Sequence, residues 1–337
     1  MGKQLDFHSS AIIEKVGKDN QWIVLREKIN WWRFKDIIRV IDRTGEQGGR
    51  PRYDIEMMFR AVLLAQWHDM SDYELEQSLK TRLDFMCFCG LSLSDEVPDQ
   101  NTIQAFRAAL IKHNLLPKAL KLLNKELENL GLKLNKKGTF ILDATIVEAH
   151  ARPLTSIEPD QDGESGTKTY SKDPDARWVK TGANKAKFGY KQHTLVDAES
   201  GFIEELEVTP ANVHEVTTVE KIVNDKQIDE LLADKGYASK SNREFLKSKS
   251  IKDGIMFKAQ KNSELTQEQK DKNKQISKLR YKVEAVFGTQ KERFGFHYTR
   301  YFTTVRVQAQ AILKAICCNL LKACRMIVFR KNHLAQA

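Results

Sequence analysis

No stretch of this 337-residue sequence approaches the 18 uninterrupted apolar residues that mark a membrane-spanning helix, and the opening Met1-Gly2-Lys3-Gln4-Leu5-Asp6 has no apolar signal region. Neither a membrane protein nor an exported one is expected. Cysteine is scarce. Of the five, Cys87 and Cys89 are too close for an ordinary bridge, Cys317 and Cys318 are adjacent, and Cys324 stands alone, so there is no disulfide framework. No paired CxxC motif and no histidine cluster suggests zinc, and a reducing cytoplasm is the expected compartment. An acidic excess is missing too: 55 Lys and Arg face 45 Asp and Glu, giving a formal charge of +10 and a pI near 9.2. The surplus is uneven, with 15 basic against 3 acidic residues between positions 270 and 331. Such a surface suits a polyanionic partner, although a solvated basic face gives the same count.

What is present is a core of 41% apolar residues in a chain long enough for two domains. Three acids stand out. Asp143 follows the apolar β-type run Thr139-Phe140-Ile141-Leu142 and therefore lies in or at the end of a buried strand. Asp234 ends a second short run, Ile228 to Ala233, before the turn signal Lys235-Gly236-Tyr237. Glu284 lies in a proline-free helical stretch, where about 100° per residue places Arg280, Glu284, Phe287 and Lys291 on one stripe.

Three carboxylates converging on one point suit hard divalent cations, Mg²⁺ above all, which take oxygen ligands rather than thiolate or imidazole. Two such ions roughly 3.5–4 Å apart activate an attacking oxygen and stabilise the leaving oxygen of a phosphodiester. Arginine and lysine beside them would grip phosphates, arginine with a bidentate fork and lysine as a point charge. Each residue alone also suits a plainer role. Asp143 and Asp234 could cap or end strands, and Arg280 with Glu284 has the spacing of a surface pair worth about 0.2–0.5 kcal/mol.

In combination the residues resemble a known family. Leu142-Asp143-Ala144-Thr145-Ile146-Val147-Glu148-Ala149, Val196 to Gly201, Ala211-Asn212-Val213-His214-Glu215, Ala233-Asp234-Lys235-Gly236-Tyr237 and Arg280 through Arg300 occur in the order and spacing of bacterial insertion-sequence DDE transposases, closest to the insertion sequence five family. The resemblance runs from about residue 5 to residue 325. It implies an α/β fold: a ribonuclease-H-like core, a mixed sheet flanked by helices, behind an N-terminal all-helical region.

The resemblance also implies a catalytic and metal-binding triad of Asp143, Asp234 and Glu284 holding two Mg²⁺ ions, with Mn²⁺ as substitute. DNA contacts would come from Arg280 and Lys291, while the family's tyrosine position is Ser277 here. The implied partners are double-stranded DNA, as terminal inverted repeats and as target, and a second copy of the chain, at least a dimer, when two ends are synapsed. The implied setting is a bacterial cytoplasm, at the nucleoid during reaction. A nuclease of the same fold that only hydrolyses DNA, and a domesticated DNA-binding protein without catalysis, are the alternatives.

The expected domains are a helical DNA-binding region over 1–135 and a catalytic domain over 136–330. In the first, helices are expected at 22–41, 54–68, 72–80, 99–114 and 117–130, with Asp72 and Asp99 as N-caps and a flexible basic link at 45–52. Residues 72–110 form a helix-turn-helix candidate in which Gln100, Asn101, Gln104 and Arg107 face DNA while Ile103, Phe106 and Leu110 face the core; an ordinary helical hairpin shows the same pattern. In the second, residues 151–187 read as a long polar loop. Its basic end, Lys180, Lys185 and Lys187 near Trp178, suits charge and stacking contacts with DNA as well as a plain solvent-exposed excursion. Strands are expected at 188–196, 202–208 and 254–258, and helices at 214–223, 240–249 and 305–328, the last packed on the catalytic core. His193 reads as a hydrogen-bonded strand histidine, and Asp197 as a turn residue.

Overall fold

The computed structural model describes residues 7–41, 53–134, 137–151, 172–182, 185–224, 226–259 and 264–334. The expected basic link at 45–52 lies outside these, as does most of the polar segment. The chain divides into two compact units, one of residues 1–133 with 313–337 and one of residues 134–312.

The first unit is all helical: α1 (Phe7–Val16), α2 (Gln21–Lys28), α3 (Trp32–Ile38), α4 (Ile55–Trp67), α5 (Asp72–Thr81), α6 (Leu83–Cys89), α7 (Gln100–Lys112) and α8 (Leu116–Asn129). The helix expected over 22–41 is two helices, because Ile29 turns extended (φ −89°, ψ 132°) and breaks the run. Every residue of α4 from Met57 to Trp67 is buried, as befits a helix apolar on most sides and ringed by others. Trp22 of α2 packs against Trp67 and Phe88 with ring centroids 4.7 and 4.9 Å apart. The cap of α5 is Ser71, not Asp72: its hydroxyl accepts from the Glu74 N–H while the Glu74 carboxylate accepts from the Ser71 N–H. Asp72 turns instead to Arg107 of α7. Asp99 caps α7 as expected, accepting from the Thr102 N–H at 2.7 Å.

The second unit carries β1 (Thr139–Ala149), β2 (Arg177–Gly182), β3 (Lys185–Asp197), β4 (Ile203–Pro210), α9 (Val219–Val223), β5 (Glu230–Ala233), α10 (Lys240–Ser248), β6 (Lys252–Ile255), α11 (Gln267–Gly288) and β7 (Tyr298–Thr299); α12 (Thr304–Leu334) begins in it. Strands β4, β3 and β1 are antiparallel neighbours, while β1, β5 and β6 run parallel. The order β4-β3-β1-β5-β6, with helices flanking it, is the ribonuclease-H-like arrangement. One face carries Phe140, Leu142, Leu195, Leu231 and Ala233 against Val219, Ile222, Val223 and Leu246 of α9 and α10. Since successive strand residues alternate faces, Asp143 and Asp234 belong to the opposite one.

Three expectations need correction here. Residues 177–182 and 185–187 of the expected polar loop are paired strand, with Trp178 opposite Phe188 and Lys180 opposite Ala186. The helix expected from His214 begins as a 3₁₀ turn, Glu215–Thr218, and becomes α9 only at Val219. The last helix does not pack on the catalytic unit throughout. From Leu313 it belongs to the helical unit, where Lys314 donates to the Gln66 carbonyl and to Asp69, and Asn319 to Asn124.

Candidate active site

The two aspartates meet through strand register. Parallel pairing of β1 with β5 runs from Thr139 opposite Glu230 to Leu142 opposite Ala233. One further step brings Asp143 level with Asp234 on strands about 4.8 Å apart. Both side chains face α11, whose Arg280 reaches them with its two terminal nitrogens: Nη2 donates to Asp143 Oδ2 at 2.7 Å and Nη1 lies 3.3 Å from Asp234 Oδ1. Asp143 is 8% exposed and also accepts from the Ala144 N–H at 2.9 Å.

Burial raises the Asp143 pKa and the Asp234 charge adds to that, while the Arg280 and Ala144 hydrogen bonds oppose it; burial prevails. For Arg280 burial works against the charged form, but Asp143, Asp234 and Glu284 outweigh it and raise its pKa. The guanidinium thus faces inward onto the acid pair rather than outward as a phosphate clamp.

Glu284 is exposed, one turn beyond Arg280. The inward stripe of α11 and the turn after it consists of Ile276, Arg280, Val283, Phe287 and Gln290. At about 100° per residue, Ser277, Glu284 and Lys291 lie together on one flank of that stripe, not along its centre. Among the described residues, no three of His, Cys, Asp and Glu are close enough to form a ready metal cluster. The donors nevertheless fit a hard cation: two carboxylates already converge on one positive group, and the charge of the third acts on it.

The helix changes character next to the site. Residues Thr289–Arg293 form a π-helical turn, a feature that recurs at functional sites. It directs buried Gln290 to the sheet, where its Oε1 accepts from Gln192 Nε2 at 2.9 Å; the same amide donates to Thr194, the β3 partner of Asp143. Lys291 is half-buried. Burial lowers its pKa, nearby Lys187 lowers it further, and Glu148 and Glu292 oppose both.

A second network holds Asp234 from behind, and in it His193 is the hydrogen-bonded strand histidine that the sequence suggested, while its partner Tyr237 was not foreseen. Tyr237 is fully buried, and its hydroxyl pairs with His193 Nδ1 at 3.1 Å, while His193 Nε2 pairs with Thr209 at 3.1 Å. Burial, helped by the Lys191 charge, takes the His193 pKa down to about 3, so the ring is neutral. The Tyr237 carbonyl accepts from Asn242 at 2.8 Å. Between Asp234 and Tyr237, Gly236 leaves room for the Glu215 carboxylate, whose Oε2 would stand 2.0 Å from a Cβ at that position.

In the helical unit, Gln100, Asn101 and Gln104 are exposed on α7, and Ile103 and Leu110 are in the core; Phe106 is half-buried. Arg107 makes a bidentate pair with Asp72, Nη2 to Oδ2 at 2.7 Å, so its fork joins α7 to α5. The Gln100 N–H donates to Glu76 at 2.9 Å.

A model described as Transposase DDE domain matches residues 134–320, and one described as Transposase domain (DUF772) matches residues 10–109. Over 221 residues the chain is 43% identical to the transposase for insertion sequence element IS1106 of Neisseria meningitidis serogroup B, covering 65% of this chain and 76% of that one. A piggyBac transposase, solved as a synaptic complex with hairpin DNA, aligns over 97% of this chain and 77% of its own, at 10% identity and a TM-score of 0.42, too distant to inform the site.

Proposed function

Since the chain belongs to the insertion-sequence transposases that carry a DDE domain, we propose that it binds the ends of its element, cleaves them, and joins the freed 3′-hydroxyls to target DNA. The observation that carries this reading is the pair Asp143 and Asp234, level on adjacent strands and bound to one cationic fork. These aspartates would hold divalent ions, Mg²⁺ with Mn²⁺ as substitute, and Glu284 would complete the set. Bound there, two ions would activate the attacking oxygen and stabilise the leaving one.

The chain's own residues supply the rest. Arg280 keeps two adjacent carboxylates from repelling each other, so the site is folded and charged before substrate arrives. The Tyr237–His193 and Gln192–Gln290 hydrogen bonds fix the Asp234 turn and the α11 helix against the same sheet. Lys291, on the flank of Glu284, would meet a phosphate beside the scissile bond, and the exposed start of α7, with Gln100, Asn101 and Gln104, would meet DNA bases. Two ends handled in one reaction require at least a dimer when they are synapsed, and the nucleoid is where the reaction would occur. Replacing Asp143 with Asn tests this directly. Folded Asp143→Asn should bind duplex DNA from the element end with little change and lose cleavage by at least about 100-fold; cleavage at the wild-type rate would remove Asp143 from the reaction.

A further inference from the structure

Strands β2 and β3 form a two-stranded ribbon that runs past the rest of the sheet. Pairing of β3 with β1 begins at Gly189 and with β4 at Tyr190, so Lys185 to Phe188 pair with β2 alone. Between Arg177 and Gly189 the chain carries Arg177, Lys180, Lys185 and Lys187 and no acidic residue. Lys180 and Lys185 are exposed and make no ion pair among the described residues. Trp178 is 47% exposed, with its ring 5.4 Å from that of Phe188.

A bare cationic ribbon is costly to keep unless it has a polyanion to meet, since its charges repel and its strands bury little. Its base lies against the far end of β1. Lys187 pairs with Glu148 at the end of β1, the strand that carries Asp143, and its charge is felt by Lys291. Lys185 and Lys187 share one face of the ribbon and Lys180, opposite Ala186, takes the other, so cations line both faces. Along β1, Glu148 is five residues beyond Asp143, about 17 Å, or half a turn of duplex.

We infer that this ribbon, residues 177–182 with 185–189, is a DNA-backbone clamp, and that Lys180 and Lys185, eight to nine strand positions beyond Asp143 and so about 27–30 Å away, grip phosphates of the duplex about one turn from the bond being cut. A β-ribbon has the width of a DNA groove, and cations on it hold the backbone without reading sequence. The inference rests on the proposal that the chain acts on DNA.

The probe is a duplex taken from the DNA flanking the reading frame, bound by the full chain in EDTA so that no strand is cut. In the double variant Lys180→Ala with Lys185→Ala, the slope of log affinity against log salt should fall by about two, since each lost phosphate contact removes about 0.9. Both side chains are exposed, so the unfolding temperature should stay put. Position is read separately: the five native cysteines are buried, so Lys180→Cys provides one accessible thiol for an iron-EDTA label, which should cut the duplex within about one turn of the cleavage site. An unchanged salt slope, or label cuts absent or scattered along the duplex, overturns the clamp. If the wild-type chain itself fails to bind the duplex, the DNA-end reading falls with it, whereas normal wild-type binding with an unaltered double variant overturns the ribbon alone.

Discussion

Asp143 stays folded beside Asp234 because a guanidinium sits against both, and the balance is unfavourable by a margin that shows in its raised pKa. A carboxyl whose folded pKa exceeds its unfolded value contributes stability only in acid, and loses it as pH rises through the folded pKa, so above that pH the buried acid is a cost to stability. Removing Arg280 should expose that cost. Arg280→Ala is expected to lower stability by about 3 kcal/mol through an uncompensated buried acid pair, and Mg²⁺ should then raise its melting temperature more than that of the wild type. An equal Mg²⁺ shift in both proteins would mean that the guanidinium and the ion do not neutralise the same carboxylates. His193 has the opposite sign, with a pKa lowered from 6.5 to about 3 by burial. Its stability is complete above pH 6.5 and is lost as pH falls through the window below, at about 1.4 kcal/mol per pH unit. His193→Gln, though less stable overall, should show a correspondingly shallower loss when denaturant unfolding is followed from pH 7 to pH 4.

At the scale of elements, Asp234 was legible as an acid at a strand end, after the short apolar run of β5, whereas Asp143 follows such a run but lies within β1, which continues to Ala149; a register of period two fixes which face each takes. The inward aim of Arg280 was not: a four-residue spacing to Glu284 describes a surface pair and a stripe equally well, and only the buried Val283 and Phe287 reveal where the helix faces. The ribbon was hidden for a related reason. Its strands carry Trp178, Val179 and Phe188 among lysines and small residues with no sustained apolar alternation, so little in their pattern distinguishes them from a loop. The π-helical turn after α11 gives no compositional sign at all, yet it delivers Gln290 to Gln192. Denaturant titration should find that Gln290→Leu costs about 1–3 kcal/mol by stranding a buried amide, that Gln192→Leu costs a similar amount, and that the double variant costs clearly less than their sum. Strict additivity would show that the two amides do not hold each other.

At the scale of the molecule, residues 1–133 with 313–337 form one unit and residues 134–312 the other, where the sequence was read as a helical region over 1–135 and an α/β region over 136–330. It misplaced the end of the chain, because a helix as rich in Ile, Leu, Ala and Cys as α12 fits either core; polar partners such as Asp69 for Lys314 and Asn124 for Asn319 assign its later part to the helical unit. In the proposed account the Lys291 flank of α11 and the basic ribbon hold DNA on the side of the sheet that carries the acid pair's strand. The most direct test of that account is joining. Given duplexes pre-cut to expose the element's 3′-hydroxyl, with Mg²⁺ and a target plasmid, the wild-type chain should covalently link the ends to the plasmid and Asp143→Asn should not. Ends that are only hydrolysed further, or only bound, or joined equally well by Asp143→Asn, would contradict a transposase working through this site.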